Sequence, residues 1–310
     1  MARRLFVALC LVVLVVAAAR CGKARQGKHL VGFSQCNLGE PWRVAMNAEL
    51  AARAKAFPDI EIAYADAQQD NAKQVADVEN LLRQKIDLLI ISPNEARPLT
   101  PIVRKVFEQG IPVIVLDRAI EGDTYTTFIG ADNREIGKAA GRYIVEILGG
   151  KGAVVEIKGL PGSPPARDRS EGFREAIAGS PEIRIVHDPV ANWLREEAMA
   201  QMESALAAHE RIDLVYAHND PMAAGAYLAA KAKGRDGEMK FVGIDALPGL
   251  DGGRQMVADG KLAATFVYPA GGREAVDVAA KIFAGEKVPH TIVLPTVMIT
   301  PENVKEHLAK

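Results

Sequence analysis

Polar residues with complementary hydrogen-bonding chemistry recur at the ends of short apolar runs in this sequence. Ser34, Asp117 and Arg118 follow such runs in the first half of the chain, and Asn219 and Asp245 follow runs in the second half. A carboxylate accepts hydrogen bonds and a guanidinium donates several in a fixed fork, so an Asp–Arg pair suits a ligand rich in hydroxyl groups. The pattern predicts a binding site for a polar small molecule.

Some of these polar residues also have a purely structural interpretation. Asp132, Asn219 and Asp220 each precede a predicted helix and could cap its N-terminus. We assign Asp220 to this capping role and leave both roles open for Asp132. The Asp117–Arg118 pair could be a local ion pair at the rim of a sheet, but no helix follows it directly, so a ligand role is favoured.

The two tryptophans, Trp42 and Trp193, each lie at the start of a predicted helix that follows a strand-end loop. An indole face can stack on the C–H face of a sugar ring while neighbouring polar groups bind the sugar hydroxyls. Packing of each helix onto its sheet is the structural alternative. Because the two tryptophans occupy equivalent places in two halves of the chain, the ligand role is favoured for both.

Motifs of known enzyme chemistry are absent from the sequence. There is no nucleophile elbow, phosphate-binding loop, dinucleotide fingerprint or zinc-protease motif, and the 6 histidines show no metal-ligand spacing. His218 with Asp220 could be imagined as a catalytic pair, but no nucleophile accompanies them. We therefore predict a binding protein that is not an enzyme, with no cofactor, no metal site and no catalytic residue.

Composition bears on two further classes of protein. The 38 Lys and Arg residues balance 39 Asp and Glu residues, for a formal net charge of −1, so no basic excess marks a nucleic-acid-binding protein. The chain has no low-complexity tail or acidic block, which argues against extensive disorder. At about 150 residues per domain, the 310 residues predict about two domains.

The first residues have the pattern of an export signal. Two arginines precede an apolar run over residues 5–19, which ends in three alanines and is short for a membrane span of about 20 residues. We predict a signal peptide over residues 1–19 and a periplasmic protein. An uncleaved anchor and a lipid-anchored form acylated at Cys21 are the alternatives. Cys21 could also pair with Cys36, or both thiols could be free.

From His29 onward, short apolar runs alternate with longer segments of helical periodicity. The predicted strands are 30–33, 60–65, 88–91, 113–116, 127–130, 153–157, 183–186, 214–217, 241–244 and 263–267. The predicted helices are 42–57, 71–84, 99–109, 134–148, 166–178, 195–207, 222–233, 249–258 and 271–284. Continuous apolar strands that alternate with helices are typical of parallel sheets covered on both faces. About ten strands exceed one ordinary open sheet, so we predict an α/β fold with two doubly wound parallel sheets.

Several short segments together resemble the periplasmic sugar-binding proteins of bacterial ABC importers, in the ribose/galactose-type cluster. In the family's order they are VGFS (31–34), VIVLDR (113–118), ADN (131–133), ARDRSEGF (166–173), YAHNDPM (216–222), VGID (242–245) and GKLAAT (260–265). The resemblance implies a type I periplasmic binding protein fold, in which three hinge strands join two lobes that close over a ligand. The implied N-terminal lobe is 29–131 plus 269–291, and the implied C-terminal lobe is 132–268 plus 292–310.

The resemblance also assigns ligand contacts. By the family's motifs these are Ser34, Trp42, Asp117, Arg118, Arg169, Trp193, Asn219 and Asp245. Arg43 replaces a stacking aromatic of ribose binders and Tyr268 replaces a hinge glutamine, and both are added to the predicted site. Ser92, in place of an asparagine, is a third departure. The segment 39–43 is similar to galactofuranose-type binders, which carry a Trp–Arg pair there.

The resemblance further implies the partners of the protein. The ligand is a monosaccharide, with a hexose in furanose form as the candidate, and the protein partner is an ABC permease in the inner membrane. A monomer is implied. A sensor that presents its sugar to a membrane kinase or chemoreceptor is the alternative. Lactose-repressor-type transcription factors share the core, but the export leader stands where they carry a helix-turn-helix.

Overall fold

The computed structural model describes residues 27–250 and 252–308. The predicted signal over 1–19 and Cys21 therefore lie outside the described residues, and the pairing of Cys21 with Cys36 is not tested. Cys36 itself is fully buried. In the part of the chain that the structure describes, no helix is both long enough and apolar enough to cross a membrane.

Strands and helices alternate along most of the chain. The strands are β1 (His29–Gln35), β2 (Ile60–Asp66), β3 (Leu88–Ile91), β4 (Val113–Leu116), β5 (Thr127–Ala131), β6 (Gly152–Ile157), β7 (Ile183–His187), β8 (Leu214–Ala217), β9 (Lys240–Val242), β10 (Thr265–Phe266), β11 (Thr291–Leu294) and β12 (Met298–Ile299). The helices are α1 (Pro41–Ala54), α2 (Asn71–Arg83), α3 (Ala96–Glu108), α4 (Asn133–Ile147), α5 (Pro164–Ile177), α6 (Arg195–Ala208), α7 (Asp220–Ala232), α8 (Gly253–Ala258) and α9 (Gly272–Phe283).

The first sheet contains six parallel strands in the order β11–β5–β4–β3–β1–β2. Its central strands β3 and β4 have the sequences LLII and VIVL, and every side chain in them is buried. Burial of successive side chains, which point to opposite faces, requires that both faces of the sheet be covered. The strand order reverses between β1 and β3, and ligands of open α/β sheets bind at such a reversal.

The second sheet contains four parallel strands in the order β7–β6–β8–β9, so its order reverses between β6 and β8. Single bridges from Val242 to Ala264 and from Asp245 to Val267 extend it beyond β9. The short strands β10 and β12 pair antiparallel to each other. The fold class predicted from the sequence, α/β with two parallel sheets, is confirmed.

Glycines bring helices of the second sheet into close contact and so position the site. A Cβ on Gly172 of α5 would lie 2.1 Å from the Arg134 carbonyl oxygen of α4, and one on Gly137 would lie 2.3 Å from the Arg169 carbonyl oxygen. Neither contact leaves room for a side chain. The close packing of α4 on α5 therefore fixes the turn of α5 that carries Arg169.

The predicted elements are all present, with differences at some ends. α3 begins at Ala96 and not at residue 99, because Pro98 falls in the first turn, where no backbone N–H is needed. The side chain of Asp132 accepts a hydrogen bond from the Glu135 amide and so caps α4. β11 was not predicted as a strand, although its sequence TIVL contains three consecutive apolar residues. It lies at an edge of its sheet, and Val293 in it is exposed.

Within the described residues the chain passes between the two sheets after β5, after β10 and after β11. The third passage was predicted at Thr291, but Thr291–Leu294 pairs with β5 in the first sheet, so the passage follows Leu294. With this shift, we retain the division into two lobes as a proposal. The first lobe is then the one built on the first sheet, and the second lobe is the one built on the second sheet.

Candidate ligand-binding site

A cavity lined by buried residues lies between the two sheets, at the carboxyl ends of their strands. It contains about 280 Å³ of space not filled by atoms, part of which is continuous with solvent. Nine of the ten predicted site residues line it, namely Trp42, Arg43, Asp117, Arg118, Arg169, Trp193, Asn219, Asp245 and Tyr268. Glu40 and Pro165 complete the lining, and all of these residues are buried.

Arg43 extends from the first turn of α1 into the cavity, where only 3% of its surface is exposed. Its Nη1 donates to Ser92 Oγ at 2.9 Å, and its Nη2 lies 2.8 Å from Asp117 Oδ2. The guanidinium carbon lies 4.7 Å from the centroid of the Trp42 ring. The side chain is thus fixed from three sides, and its remaining N–H groups are available to a ligand.

Asp117 follows β4 with a φ of 68°, a left-handed conformation that Asp and Asn adopt more readily than most residues. Its Oδ1 accepts a hydrogen bond from the Tyr268 hydroxyl at 2.6 Å. Burial and the Asp117 charge raise the pKa of Tyr268, so this hydroxyl stays protonated. Although Oδ2 has the ion pair with Arg43, it has no well-aligned hydrogen-bond donor among the described residues. Asp117 can therefore accept a hydrogen bond from a ligand.

Arg118 is 1% exposed, and its Nη1 donates to the Asn94 carbonyl oxygen at 2.9 Å. Its Nη2 lies 3.9 Å from Glu40 Oε1, which also lies 4.0 Å from Arg43 Nε and accepts from Asn37 Nδ2 at 2.7 Å. Glu40 was not predicted from the sequence, since it lies in a loop before a helix and not at a strand end. The position of Glu40 three residues before Arg43 is the sequence signal that could have identified it as a site residue.

Arg169 lies on the second sheet's side of the cavity and contacts Asn133 and Tyr268, which lie beside two of the passages between the sheets. Its Nε donates to Asn133 Oδ1 at 2.9 Å, and its Nη1 donates to the His218 carbonyl oxygen. Its guanidinium carbon lies 4.5 Å from the Tyr268 ring centroid and 5.5 Å from the Trp193 ring centroid. The arginine is therefore held in one orientation by two hydrogen bonds and two aromatic rings.

The two tryptophans line the cavity on different elements. Trp42 Nε1 donates to the Tyr268 carbonyl oxygen at 2.8 Å, whereas Trp193 Nε1 has no hydrogen-bond partner among the described residues. Trp193 lies in the loop two residues before α6, with a φ of 74°, and not within the helix. The Arg118 guanidinium lies 5.5 Å from its ring centroid. Trp193 thus offers a ligand both an aromatic surface and an N–H donor.

The start of α7 shows that one prediction was wrong. Asn219, and not Asp220, caps this helix, because Asn219 Oδ1 accepts from the Met222 amide at 2.9 Å. Asp220 instead accepts from the Ala246 amide at 2.8 Å and from the Thr265 hydroxyl at 2.7 Å. Its carboxyl group therefore fastens the loop that follows β9 to the neighbouring strand β10.

Asp245 lies in that loop with a φ of 132°, and Ala246 after it has a φ of 50°. Such unfavourable backbone conformations concentrate at binding sites. Burial, and then the charge of Asp220, raise the pKa of Asp245 well above its ordinary value, while Arg169 acts in the opposite direction. Burial also raises the pKa of Asp220 to about 6. A protonated Asp245 can donate a hydrogen bond to a ligand as well as accept one.

Ser34 lies one layer behind the cavity and does not line it. Its hydroxyl accepts from Gln74 Nε2 at 3.2 Å, and Gln74 also donates to the Ser92 carbonyl oxygen and accepts from the Asn94 amide. The buried Gln74 thus braces the ends of β1 and β3. Because its hydroxyl is engaged inside the first lobe, we leave Ser34 out of the proposed ligand contacts.

The unpaired polar atoms of the lining define what it can bind. Arg43 Nε, Arg118 Nε, Trp193 Nε1 and Asp117 Oδ2 have no hydrogen-bond partner among the described residues. An unpaired buried polar group costs about 1–3 kcal/mol, so a ligand with both donors and acceptors is favoured. The lining contains three arginines and the carboxyl groups of Glu40, Asp117 and Asp245, so it offers both donors and acceptors to a ligand. Across residues 27–250 and 252–308, no cluster of His, Cys, Asp and Glu could hold a metal ion.

Contacts beside the cavity join loops of the two lobes. The Ala96 amide donates to the Gly162 carbonyl oxygen at 3.1 Å, and Gln69 Nε2 donates to the Asn192 carbonyl oxygen at 3.2 Å. A Cβ added to Gly162 would lie only 1.7 Å from Glu95 Oε2. The two surfaces are therefore in direct contact, and the structure is a closed form.

A family model supports the relationship that the sequence motifs suggested. The model, which describes the periplasmic binding protein domain, matches residues 31–287. Among curated proteins, the ribose import binding protein of Bacillus subtilis is 32% identical over 267 residues, or 86% of this chain and 85% of that protein. The galactofuranose-binding protein of Escherichia coli is 32% identical and covers 97% of this chain and 96% of its own length.

Solved structures with similar folds add a third comparison. The fructose-binding periplasmic domain of a hybrid two-component system has a TM-score of 0.88 and 44% identity, with 91% of this chain and 93% of that chain covered. A Mycobacterium smegmatis protein in complex with β-D-fucofuranose has a TM-score of 0.86 and 32% identity, with 91% and 94% covered. The similarity therefore extends over nearly all of the described chain.

Proposed function

The chain belongs to the periplasmic binding protein family, and we propose that it captures a monosaccharide between its two lobes and delivers it to an ABC importer. The observation that carries this proposal is the cavity of buried residues between the sheets, with its unpaired hydrogen-bonding groups and two tryptophans. The relatives named above are binding proteins, which supports a role without catalysis. A sugar offers both hydroxyl groups for the polar atoms and a C–H face for an indole.

We propose a hexose in furanose form as the ligand class. Arg43 already has Asp117 and Glu40 beside it, and these acidic side chains disfavour the negative charge of a sugar acid or sugar phosphate, which supports an uncharged sugar. Arg43, fixed between Ser92, Asp117 and Trp42, supplies a fork of donors beyond what a small pentose ring requires. Relatives named for galactofuranose and crystallised with β-D-fucofuranose support the furanose form.

Calorimetry with a panel of pentoses and hexoses tests the proposed function directly. Binding of one or more neutral sugars at one site per chain is the expected result. Because furanose forms are minor species of some free sugars, the panel should include fructose and methyl furanosides of galactose and arabinose. Failure of every sugar in the panel to bind, with a protein shown to be folded, would contradict the proposal.

The substitution Arg43→Lys should weaken binding of a furanose-form hexose by about fivefold more than binding of ribose, the equivalent of one lost hydrogen bond. Lysine keeps the charge but loses the planar fork that Arg43 shares between Ser92, Asp117 and the ligand. Competition calorimetry with the two sugars measures the difference. Arg53→Lys is the matched control, because Arg53 lies on the same helix and pairs with Asp277 away from the cavity. Equal losses for both sugars would rule out a role for Arg43 in selectivity.

Sugar binding should convert an open form to the closed form described above. Without a ligand, the unpaired groups of the lining favour solvent, and the contacts that hold the lobes together are few, such as those of Ala96 and Gln69. Small-angle scattering should therefore show a smaller radius of gyration when the sugar is bound. Identical scattering profiles with and without a sugar that calorimetry shows to bind would contradict closure.

A sensor is the second candidate function, because the fructose-binding domain with 44% identity belongs to a hybrid two-component system. A sensor would present the closed form to a membrane kinase and not to a permease. The genes beside this one distinguish the two functions, since an importer needs a permease and an ATPase. Deletion of the gene should abolish uptake of the labelled sugar if the importer proposal is correct.

We also propose that the protein acts as a periplasmic monomer after removal of residues 1–19. Membership of the family supports a location outside the cytoplasm. Mass spectrometry of the exported protein distinguishes cleavage after residue 19 from acylation of Cys21, and light scattering gives its oligomeric state.

A further inference from the structure

We infer that His218 is a positioning residue for the sugar site, and that its neutral form holds the backbone on which Trp193 lies. The inference rests on the proposed function, since it names a residue that tunes the same site. His218 follows β8 and does not itself line the cavity. It acts through Gly159, through Trp193 and through Arg169.

Both ring nitrogens of His218 have partners inside the second lobe. Nε2 lies 3.2 Å from Glu156 Oε1, and Nδ1 lies 3.4 Å from the Gly159 amide nitrogen. His218 and Glu156 are both fully buried. Since a carboxylate only accepts and a backbone amide only donates, the network assigns the proton to Nε2 and leaves Nδ1 as the acceptor. The neutral imidazole therefore satisfies both neighbours at once.

Gly159 connects this imidazole to the wall of the cavity. A Cβ on Gly159 would lie 2.3 Å from ring atoms of Trp193, so the indole lies directly against the Gly159 backbone. No side chain separates them, and a shift of the Gly159 peptide must be transmitted to the ring. His218 also accepts the hydrogen bond of Arg169 through its carbonyl oxygen. Two residues of the cavity thus depend on the position of His218.

Charged groups surround His218 on several elements. On β6 and just after it are Glu156 and Lys158, on α5 are Arg169 and Arg174, and beyond them lies Asp188. The Tyr216 ring lies 5.3 Å away on β8, and Asp220 follows on α7. Burial lowers the pKa of His218, and Glu156 opposes this while Arg169 and Lys158 reinforce it. The neutral form therefore persists below the usual pKa of histidine, and acid is needed to change it.

Protonation of His218 places a proton on Nδ1, which then faces the Gly159 N–H as a second donor. The two donors must separate, so the Gly159 peptide and the Trp193 ring move from their positions. The ratio of sugar affinity in the wild type to that in His218→Gln should then fall as the pH drops through the pKa of His218 and stay constant above it. Asp220 and Asp245, whose pKa values are raised, act on affinity in both proteins and so do not change this ratio. If binding requires neutral His218, the loss of sugar affinity approaches about tenfold for each pH unit below the pKa of His218.

The experiment follows the two indole N–H signals of the sugar-free protein by NMR between pH 7.5 and 4.5, with Trp193→Phe used for assignment. The Trp193 signal should shift in a titration that is absent from His218→Gln, since glutamine can donate to Glu156 and accept from Gly159 but does not titrate. His187→Gln, at the end of the neighbouring strand β7, should keep the titration. The ratio of sugar affinity in the wild type to that in His218→Gln, measured over the same range, should follow the same midpoint.

These measurements separate the inference from the proposed function. If no sugar binds at pH 7.5, the proposed function fails, but the indole titration still tests the positioning role. If the Trp193 signal titrates identically in wild type and His218→Gln, carboxyl groups such as Asp245 are responsible and the inference is overturned. Should His218→Gln fail to fold, Glu156→Gln replaces it. Loss of the carboxylate that stabilises the imidazolium should move the midpoint to lower pH, and an unmoved midpoint would reject the inference.

Discussion

Replacing Asp117 by asparagine is expected to remove most of the sugar affinity, at a cost of roughly 2–5 kcal/mol, or a loss of at least about thirtyfold. The carboxylate is buried beside Arg43 and Tyr268, so an amide in its place leaves the Arg43 charge without its closest partner. Asparagine is the cleaner substitution than alanine, because it tolerates the left-handed backbone at φ 68°.

Calorimetry with the best-binding sugar measures the loss in Asp117→Asn. The control is Asp277→Asn, which breaks the partly exposed ion pair with Arg53 on the outside of the first lobe. Exposed ion pairs contribute about 0–1 kcal/mol, and this one should leave sugar affinity unchanged. Unchanged affinity in a folded Asp117→Asn protein would show that Asp117 is only part of a structural ion pair.

The substitution Gly162→Ala should weaken sugar binding by about fivefold, although Gly162 does not line the cavity. Its new Cβ would meet Glu95 of the opposite lobe at 1.7 Å from Oε2 and 2.5 Å from the carboxyl carbon. The clash exists only when the lobes are closed, so it disfavours the binding-competent form. The Glu95 carboxyl can move aside only by giving up its hydrogen bond from Asn71 Nδ2, at a cost of about 1 kcal/mol. The apparent affinity falls with the population of the closed form.

A double substitution makes this test specific. Glu95→Ala removes the clashing side chain, so Gly162→Ala should lose much less affinity in the Glu95→Ala protein than in the wild type. Gly179→Ala is the matched control, because no atom lies within 4 Å of a Cβ placed there. Unfolding temperatures of the sugar-free proteins should be similar. An equal effect of Gly162→Ala in both backgrounds would mean that the two residues do not meet in solution.

The sequence was sufficient to predict most of the fold because the central strands are continuous apolar runs. Leu88–Ile91 and Val113–Leu116 are buried on both faces, so their hydrophobicity identifies them without knowledge of the tertiary structure. Thr291–Leu294 carries a shorter apolar run, Ile292 to Leu294, which Pro295 follows at once, and most of its residues are not buried. Its place in the first sheet depends on pairing with β5, which is distant in the sequence.

The site was largely predictable for a different reason. Parallel strands bring their carboxyl ends to one edge of a sheet, so the residues after each strand, such as Asp117 and Asn219, meet there. Glu40 was missed because it lies in a longer loop after β1. The contact of Gln69 with Asn192 was also beyond prediction, since it arises only when two separately folded lobes meet. The role of Asp220 was mistaken because Asn219 and Asp220 are equally good caps by residue type.

The burial of every residue that lines the cavity has a kinetic consequence. In the closed form buried side chains surround the bound sugar, so its main route of escape is a prior separation of the lobes. The rate of opening then sets an upper limit on the dissociation rate of every ligand. Some sugars have contacts that break faster than the lobes separate. The dissociation rates of these sugars should all equal the opening rate, even when their equilibrium affinities differ widely. A partner protein that separates the lobes would therefore release the bound sugar faster than the sugar dissociates spontaneously.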